Sequence, residues 1–414
     1  MIGLGDTSVT WKVAEGDKGG SIDGNGRYSA PSTAGTFHVV ATSTSDSSKS
    51  DTATVSATEP AGTPPTLTPG VWTNVSPPTG LGSDSFGGAP SGGVLSLAID
   101  PSNPRTIYIG IEHSGIWKTT DAGTSWEQLA PNADVDLYDG KTDQLECPMG
   151  IAVDPNDPNH LYAVAGVRDA NNGFWNSTDG GKSWAIPKGF KDVTPTYDIT
   201  TIAVDPSDFG HVIVGSHAYT NVGVLEGKNG ATTWTVHPPP DSTWPAGTYG
   251  LSMLYNPALG IGDSKTWLVH HIGFWLTKDA GLTWKQTNSE IDGVHGSTET
   301  YYSKTGILYS GTGNGLARSK DNGETWERIS QGLPATPYNT LVGDSNNIYT
   351  QPGLTDTSQT LITSETDGMT WKEYRDGSQK VGTGSKHMVF DSANRIVYSA
   401  NGGAGLLALK VIDP

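Results

Sequence analysis

Short apolar runs, each bounded by Gly, Asp or Pro, recur along the chain from about residue 94 onward. Ser96-Leu97-Ala98-Ile99-Asp100, Gly150-Ile151-Ala152-Val153-Asp154 and Thr201-Ile202-Ala203-Val204-Asp205 share one shape: a small first residue, an apolar middle and a closing acid. Ser252-Met253-Leu254-Tyr255-Asn256, Thr340-Leu341-Val342-Gly343-Asp344 and His387-Met388-Val389-Phe390-Asp391 are variants, and Glu299-Thr300-Tyr301-Tyr302-Ser303 fits the remaining slot. Runs this short between turn residues predict strands rather than helices. Further along each unit comes a second strand signal, such as Gly115-Ile116-Trp117-Lys118 or Gly273-Phe274-Trp275-Leu276.

A turn phrase then repeats. It reads Asp121-Ala122-Gly123-Thr124-Ser125-Trp126, and it returns at Asp179 to Trp184, Asp279 to Trp284 and Asp321 to Trp326. Two copies are degraded: Asn229 replaces the Asp before Trp234, and Asp367 sits one residue closer to Trp371. Asp and Gly supply the tight, positive-φ geometry of a hairpin, and the Trp covers it. Asp121, Asp179, Asp279, Asp321 and Asp367 are therefore expected to be structural, each bonding backbone N–H groups of its own turn. Acids spread round a ring cannot converge on one substrate. Repeats at roughly 40–50 residues predict a propeller or solenoid, and the seven inner strands predict an all-β, seven-bladed β-propeller. The last unit lacks a Trp turn of its own. Val71-Trp72-Thr73-Asn74-Val75 is expected to supply its outer strand and close the ring.

The turn phrase resembles the Asp-box, or BNR, repeat over about residues 71–410. The resemblance implies a propeller like those of sialidases, sortilin-type receptors and xyloglucanase-like glycoside hydrolases. Upstream, Val9 to Val13, Gly35 to Ser43 and Ser50 to Ala57 read as strands, and Gly26-Arg27-Tyr28-Ser29-Ala30-Pro31 as a turn with a short strand. That segment resembles a bacterial Ig-like β-sandwich without an evident first strand. The expected organisation is 1–58 Ig-like domain, 59–70 Pro/Thr-rich linker and 71–414 propeller. Met1 enters a domain already in progress, which fits a fragment of a longer chain.

The 414 residues include 54 Gly and 26 Pro but only 16% charged residues, as a turn-rich all-β chain requires. A net charge of −18 argues against nucleic acid or an anionic membrane as partner. No apolar run is long enough for a transmembrane helix. The single cysteine, Cys147, excludes an internal disulfide but not secretion from a bacterium.

Aligning the units isolates the exceptions. Glu299 and His387 stand where other inner strands begin with a small residue, and they are expected either to pair with one another or channel water, or to handle protons. The ends of the second strands and the entries to the inner strands should meet on one face. They carry Glu112, His113, Arg168, Asp169, Tyr197, Asp198, His217, Tyr219, Tyr249, His270, His271, His295 and Tyr338. Glu112, His113, Asp169, Asp198, His217, His271, Glu299 and His387 are the candidate catalytic groups. Arg168, Tyr197, Tyr219, Tyr249, His270, His295 and Tyr338 are the candidate substrate contacts. Each of these is weighed against a plain solvated-loop reading; it is the clustering of histidines on one face that favours a pocket.

Three chemistries fit such a face. Glycoside hydrolysis needs one protonated and one ionised carboxyl. Elimination from a uronate needs a His or Tyr base. A His-bound metal on the axis ranks third, because no local ligand motif supports it; no metal or cofactor is expected. Arg168 is the single arginine in these columns, which departs from the arginine triad of sialidases. The stretch Ser91 to Val94 and Tyr108 to Trp117 is more similar to xyloglucanases, whose catalytic Asp lies in the loop holding Glu112 and His113 here. That family pairs two propellers. The expected function is a secreted or cell-surface bacterial enzyme, monomeric, acting on a polysaccharide or oligosaccharide; a propeller that binds glycan or protein without catalysis is the alternative from another class.

Overall fold

The computed structural model describes residues 8–29, 35–57, 63–78, 93–112, 114–129, 147–166, 173–193, 198–216, 223–244, 247–248, 250–293, 299–329, 331–344, 347–353, 359–377, 380–381 and 384–412. The chain divides into Met1–Thr63 and Pro64–Pro414. The boundary falls inside the expected linker, and Gly70 already donates its N–H to Lys410 O at 2.8 Å within the second unit.

In the first unit, Val9–Val13, Gly35–Ser43 and Ser50–Ala57 form an antiparallel sheet with the longest strand in the middle. Ser21–Ile22 pairs separately with Tyr28–Ser29. Val13, Phe37 and Val39 are its buried apolar residues among those described.

The second unit is a seven-bladed β-propeller built from antiparallel sheets. The inner strands, blades 1 to 7, are Val94–Ile99, Cys147–Val153, Ile199–Asp205, Leu251–Asn256, Thr300–Tyr302, Tyr338–Gly343 and His387–Asp391. Six sheets have four strands. Blade 2 has three, extended by a bridge between Asn176 and Ala185. Apolar second-strand residues such as Ile107, Ile109 and Ile111 in blade 1 and Val212 and Val214 in blade 3 are fully buried, so the core lies in the walls between blades. Close approach sets some positions: a Cβ on Gly110 would lie 2.3 Å from Ser96 Oγ and 2.6 Å from Pro148 O of the next blade. The one α-helix among the described residues, Lys188–Val193, tucks Phe190 edge-on against Trp234 at 4.9 Å. No helix of the described residues is long and apolar enough to cross a membrane.

Blade 7 is completed from the other end of the unit. Thr73–Asn74 pairs with Ala408 and Leu407. Val75 donates its N–H to Leu406 O at 2.9 Å, and Asn74 Nδ2 donates to Ala404 O at 2.9 Å. Trp126 Nε1 of blade 1 donates to Val75 O at 2.9 Å, so the closing strand is also fastened to the neighbouring blade.

The Trp-capped turns share one hydrogen-bond scheme. Asp121 Oδ1 accepts from Ser125 N at 2.8 Å and Thr119 Oγ1 at 2.7 Å, and Oδ2 accepts from Ser125 Oγ at 2.6 Å. Asp179, Asp279 and Asp321 repeat it with Ser183, Thr283 and Thr325. Burial opposes ionisation of these carboxylates, but the hydroxyl and amide donors outweigh it and hold them below the usual carboxylate range. The residues after the Asp have φ of 59° at Ala122 and 101° at Gly123, the left-handed region that the Gly position suits.

Asp367 departs from its expected role. Thr366 occupies the acid's position in that turn and accepts from Thr370 N at 2.8 Å. Asp367 takes the next, left-handed position at φ 53° and bonds Thr305 of blade 5 instead. Counting from the Trp, the blade 6 turn therefore keeps the register of the others and has lost its carboxylate. Asp121→Ala is expected to cost about 1–3 kcal/mol, because buried donors lose their acceptor, whereas Asp367→Ala should cost less than about 1 kcal/mol. Urea denaturation of the two variants checks the order; equal losses would mean that the carboxylate does not hold its turn.

Candidate functional site

Where the inner strands begin, their small residues leave an axial cavity of about 80 Å³ whose lining includes Gly150, Thr201, Thr340, Glu299 and His387. His387 Nε2 lies 2.9 Å from Glu299 Oε1. On the other side of the ring, Leu97 N–H donates to Nδ1 at 3.2 Å. That amide fixes the neutral tautomer with its proton on Nε2, directed at Glu299. Burial disfavours the imidazolium, as does nearby Lys386, but the charge and hydrogen bond of Glu299 outweigh both and raise the His387 pKa. The His387 side chain is 16% exposed and that of Glu299 49%, so the carboxylate is the member of the pair that meets solvent. The buried hydroxyls of Thr200 and Thr340 line the same cavity without a hydrogen-bond partner among the described residues. Lys386 Nζ reaches Met149 Sδ at 3.1 Å beside it.

The other described candidates lie inside the walls rather than on the mouth. Glu112 and Asp198 are 2% and 1% exposed. A Cβ on Gly166 would sit 2.4 Å from Asp198 Oδ1, which shows how tightly that carboxylate is packed. His270 is fully buried, with its ring nitrogens 3.3 Å from Ser252 Oγ and 3.1 Å from Ser310 Oγ and its ring edge-on to Phe274. Tyr338 is fully buried and donates its hydroxyl to Pro334 O at 3.3 Å. These four therefore have little surface of their own on the mouth where the sequence placed them, unlike the half-exposed Glu299. Successive strand residues point to opposite faces, and a column read at a strand end does not say which face is buried. His113, Arg168, Asp169, Tyr197, His217, Tyr219, Tyr249 and His295 lie outside the described residues, as does the side chain of His271, which ends the strand Ile261–His271. Among the described residues, no group of three or more His, Cys, Asp or Glu side chains is arranged to hold a metal ion.

A second ionic arrangement escaped the sequence reading. Glu226 of blade 3 is 4% exposed; its Oε1 lies 2.9 Å from His211 Nε2 and 2.8 Å from Lys228 Nζ, and its Oε2 3.1 Å from His237 Nε2. His211 Nδ1 faces Asp205 Oδ2 at 3.0 Å. His237 meets Trp267 of blade 4 edge-on at 5.2 Å, so the cluster sits at the seam of blades 3 and 4. A local signal existed. Asp205 and His211 flank the inner hairpin six residues apart, as do Asp154 and His160 in blade 2, where the contact is 3.3 Å.

Two xyloglucanases and a solved propeller-like structure are among the proteins this chain is similar to. The xyloglucanase Xgh74A of Acetivibrio thermocellus is 32% identical over 115 residues, 25% of this chain and 14% of its own length. A xyloglucanase of a Paenibacillus species is 26% identical over 312 residues, 64% of this chain and 29% of its own. This chain thus spans well under half the length of either relative. The solved structure of "YCF48 bound to D1 peptide" superposes with a TM-score of 0.53 at 17% identity, covering 85% of this chain and 99% of that one, a likeness of fold. No family model matches the chain.

The seam cluster yields a pH test. Burial lowers the His211 pKa, but the hydrogen bonds and charges of Glu226 and Asp205 outweigh it and raise it overall. A raised imidazole contributes stability that is fully present below its unfolded value, about 6.5, and lost as pH rises through its folded value. Glu226 works at the other end: burial opposes its charge, but both histidines and Lys228 hold it far below the usual range, so its contribution is lost only in strong acid. The melting-temperature advantage of the wild type over His211→Gln should therefore be largest near pH 6 and shrink toward pH 9. A pH-independent difference would show that His211 is packed there uncharged.

Proposed function

We propose that the propeller is the glycan-acting part of a glycoside hydrolase of the xyloglucanase type, working at the axial mouth on a plant polysaccharide. The observation that carries this reading is the 32% identity to a xyloglucanase over 115 residues. The mouth supports it in one respect: Glu299 is a half-exposed carboxylate oriented by a hydrogen bond from an imidazole. In this reading Glu299 accepts the proton of the attacking water, and His387 holds it in position. Hydrolysis also needs a second carboxyl to protonate the leaving oxygen, and Asp169, outside the described residues, is the candidate from the sequence. The Trp-capped turns are read as Asp-box turns and residues 8–57 as an Ig-like spacer. An extracellular bacterial setting goes with a polymeric substrate. Binding without catalysis is the second reading, favoured by the small axial cavity and by the burial of Glu112 and Asp198.

Incubation with xyloglucan and a panel of other polysaccharides separates these readings. The expected result is new reducing ends from xyloglucan, with kcat reduced at least about 100-fold in Glu299→Gln and retention on a xyloglucan column unchanged. Reducing ends accompanied by the absorbance of an unsaturated uronate would replace hydrolysis by elimination. Retention without any product would leave the binding module.

A further inference from the structure

The axial cavity, about 80 Å³, is well below the roughly 300 Å³ at which small-molecule sites begin, so a sugar ring does not fill it. It has room for a few waters, each about 30 Å³ in the liquid. Blades 2 to 7 all line it, through Gly150, Thr200, Leu251, Glu299, Thr340 and His387, and blade 1 reaches it through the Leu97 amide on His387. Two of these residues do not suit a dry cavity. Thr200 and Thr340 are 1% and 2% exposed, and neither hydroxyl has a hydrogen-bond partner among the described residues. The neighbouring Thr201, by contrast, donates to Thr248 O at 3.2 Å.

A buried hydroxyl without a partner is destabilising, whereas a valine of the same shape would carry no such cost. Water in the cavity removes the cost. It finds the two hydroxyls and the Glu299 carboxylate as partners, within the two to four that a buried water needs. Charge does not call for an ion instead, because Lys386, 3.1 Å from Met149 Sδ at the edge of the cavity, acts on His387 with the sign opposite to that of Glu299.

We propose that the cavity is a water pocket serving Glu299, in which the hydroxyls of Thr200 and Thr340 position the water that takes the proton from this carboxylate, a role that rests on the hydrolytic reading above. In that reaction the oxygen of the attacking water bonds to the sugar carbon and the glycosidic C–O bond breaks. The water gives a proton to Glu299, and the leaving oxygen takes one from the second carboxyl. Glu299 must then lose its proton while the glycan covers its exposed side. His387 is closed to it. Its Nε2 already carries the proton directed at Glu299, and its Nδ1 lone pair is held by Leu97 N–H at 3.2 Å. Protonation of Glu299 also removes the charge that favours the imidazolium. The cavity, which Glu299 also lines, offers water away from the glycan. Thr340 is well placed to hold it, because the Glu299 N–H donates to the O of the preceding residue, Asn339, at 3.3 Å.

Thr→Val substitutions in the full chain test the pocket and the proton path separately. If the hydroxyls hold water, Thr200→Val and Thr340→Val each lower the melting temperature. A rise in both would mean that the hydroxyls are unpaired in a dry cavity, and would overturn the water pocket. With xyloglucan, kcat is expected to fall about tenfold in Thr340→Val with KM unchanged and a larger solvent deuterium isotope effect, and Thr340→Ser, which keeps the hydroxyl, should recover most of the loss. A lower melting temperature with unchanged kcat and isotope effect would make the water structural and overturn the proton path. Absence of xyloglucan turnover in the wild type would instead defeat the hydrolytic reading and the proton path with it, while the melting temperatures still decide the water pocket.

Discussion

Everything in the propeller depends on closing the ring of blades. Seven sheets arranged round an axis bury their faces against one another, so the first and last blades must also meet and the two ends of the unit must be fastened together. The chain resolves this by giving blade 7 an outer strand, Thr73–Asn74, from the far end of the unit, paired to Leu407 and Ala408. The same segment receives Trp126 from blade 1 through the carbonyl of Val75. Because inner strands of different blades supply the cavity residues, the distance between Glu299 of blade 5 and His387 of blade 7 is a property of the closed ring. Neither blade holds the pair alone.

Much of this was legible in the chain because a repeat carries its own reference. The Trp turns set the blade register, the register marked the inner strands, and the inner strands exposed Glu299 and His387 as the two residues too large and polar for their column. The structure brings those two to 2.9 Å. The register failed where identity was weighed above position. By identity Asp367 reads as the turn acid, whereas distance from Trp371 assigns that place to Thr366. It also said nothing about which side of a strand end faces the wall, and so Glu112, Asp198, His270 and Tyr338 were expected on the mouth when they pack inside it. The Asp205, His211, Glu226 and His237 cluster was missed for a further reason. Its members come from all parts of blade 3 and meet only through strand pairing, with one short-range sign, the six-residue Asp-to-His spacing across the inner hairpin.

An excess of acid is a poor guide to chemistry in this chain, and the hydrogen bonds show why. Asp121, Asp179, Asp279 and Asp321 are spent on serine and threonine hydroxyls and on backbone amides, which hold them ionised and inward. They are structural charges with satisfied lone pairs. Among the described residues of the propeller, two glutamates instead face imidazoles, and the difference between them is exposure. Glu226 is 4% exposed and bonded on both oxygens by two histidines and a lysine, so it is closed to solvent and serves the seam of blades 3 and 4. Glu299 is 49% exposed and bonded to its histidine through one oxygen. The imidazole orients it and the open side leaves a lone pair for water or a sugar hydroxyl. Pairing alone does not separate a carboxylate open to a ligand from a structural one; exposure does, and among the described His–Glu pairs of the propeller the half-exposed carboxylate is the one at the axial mouth.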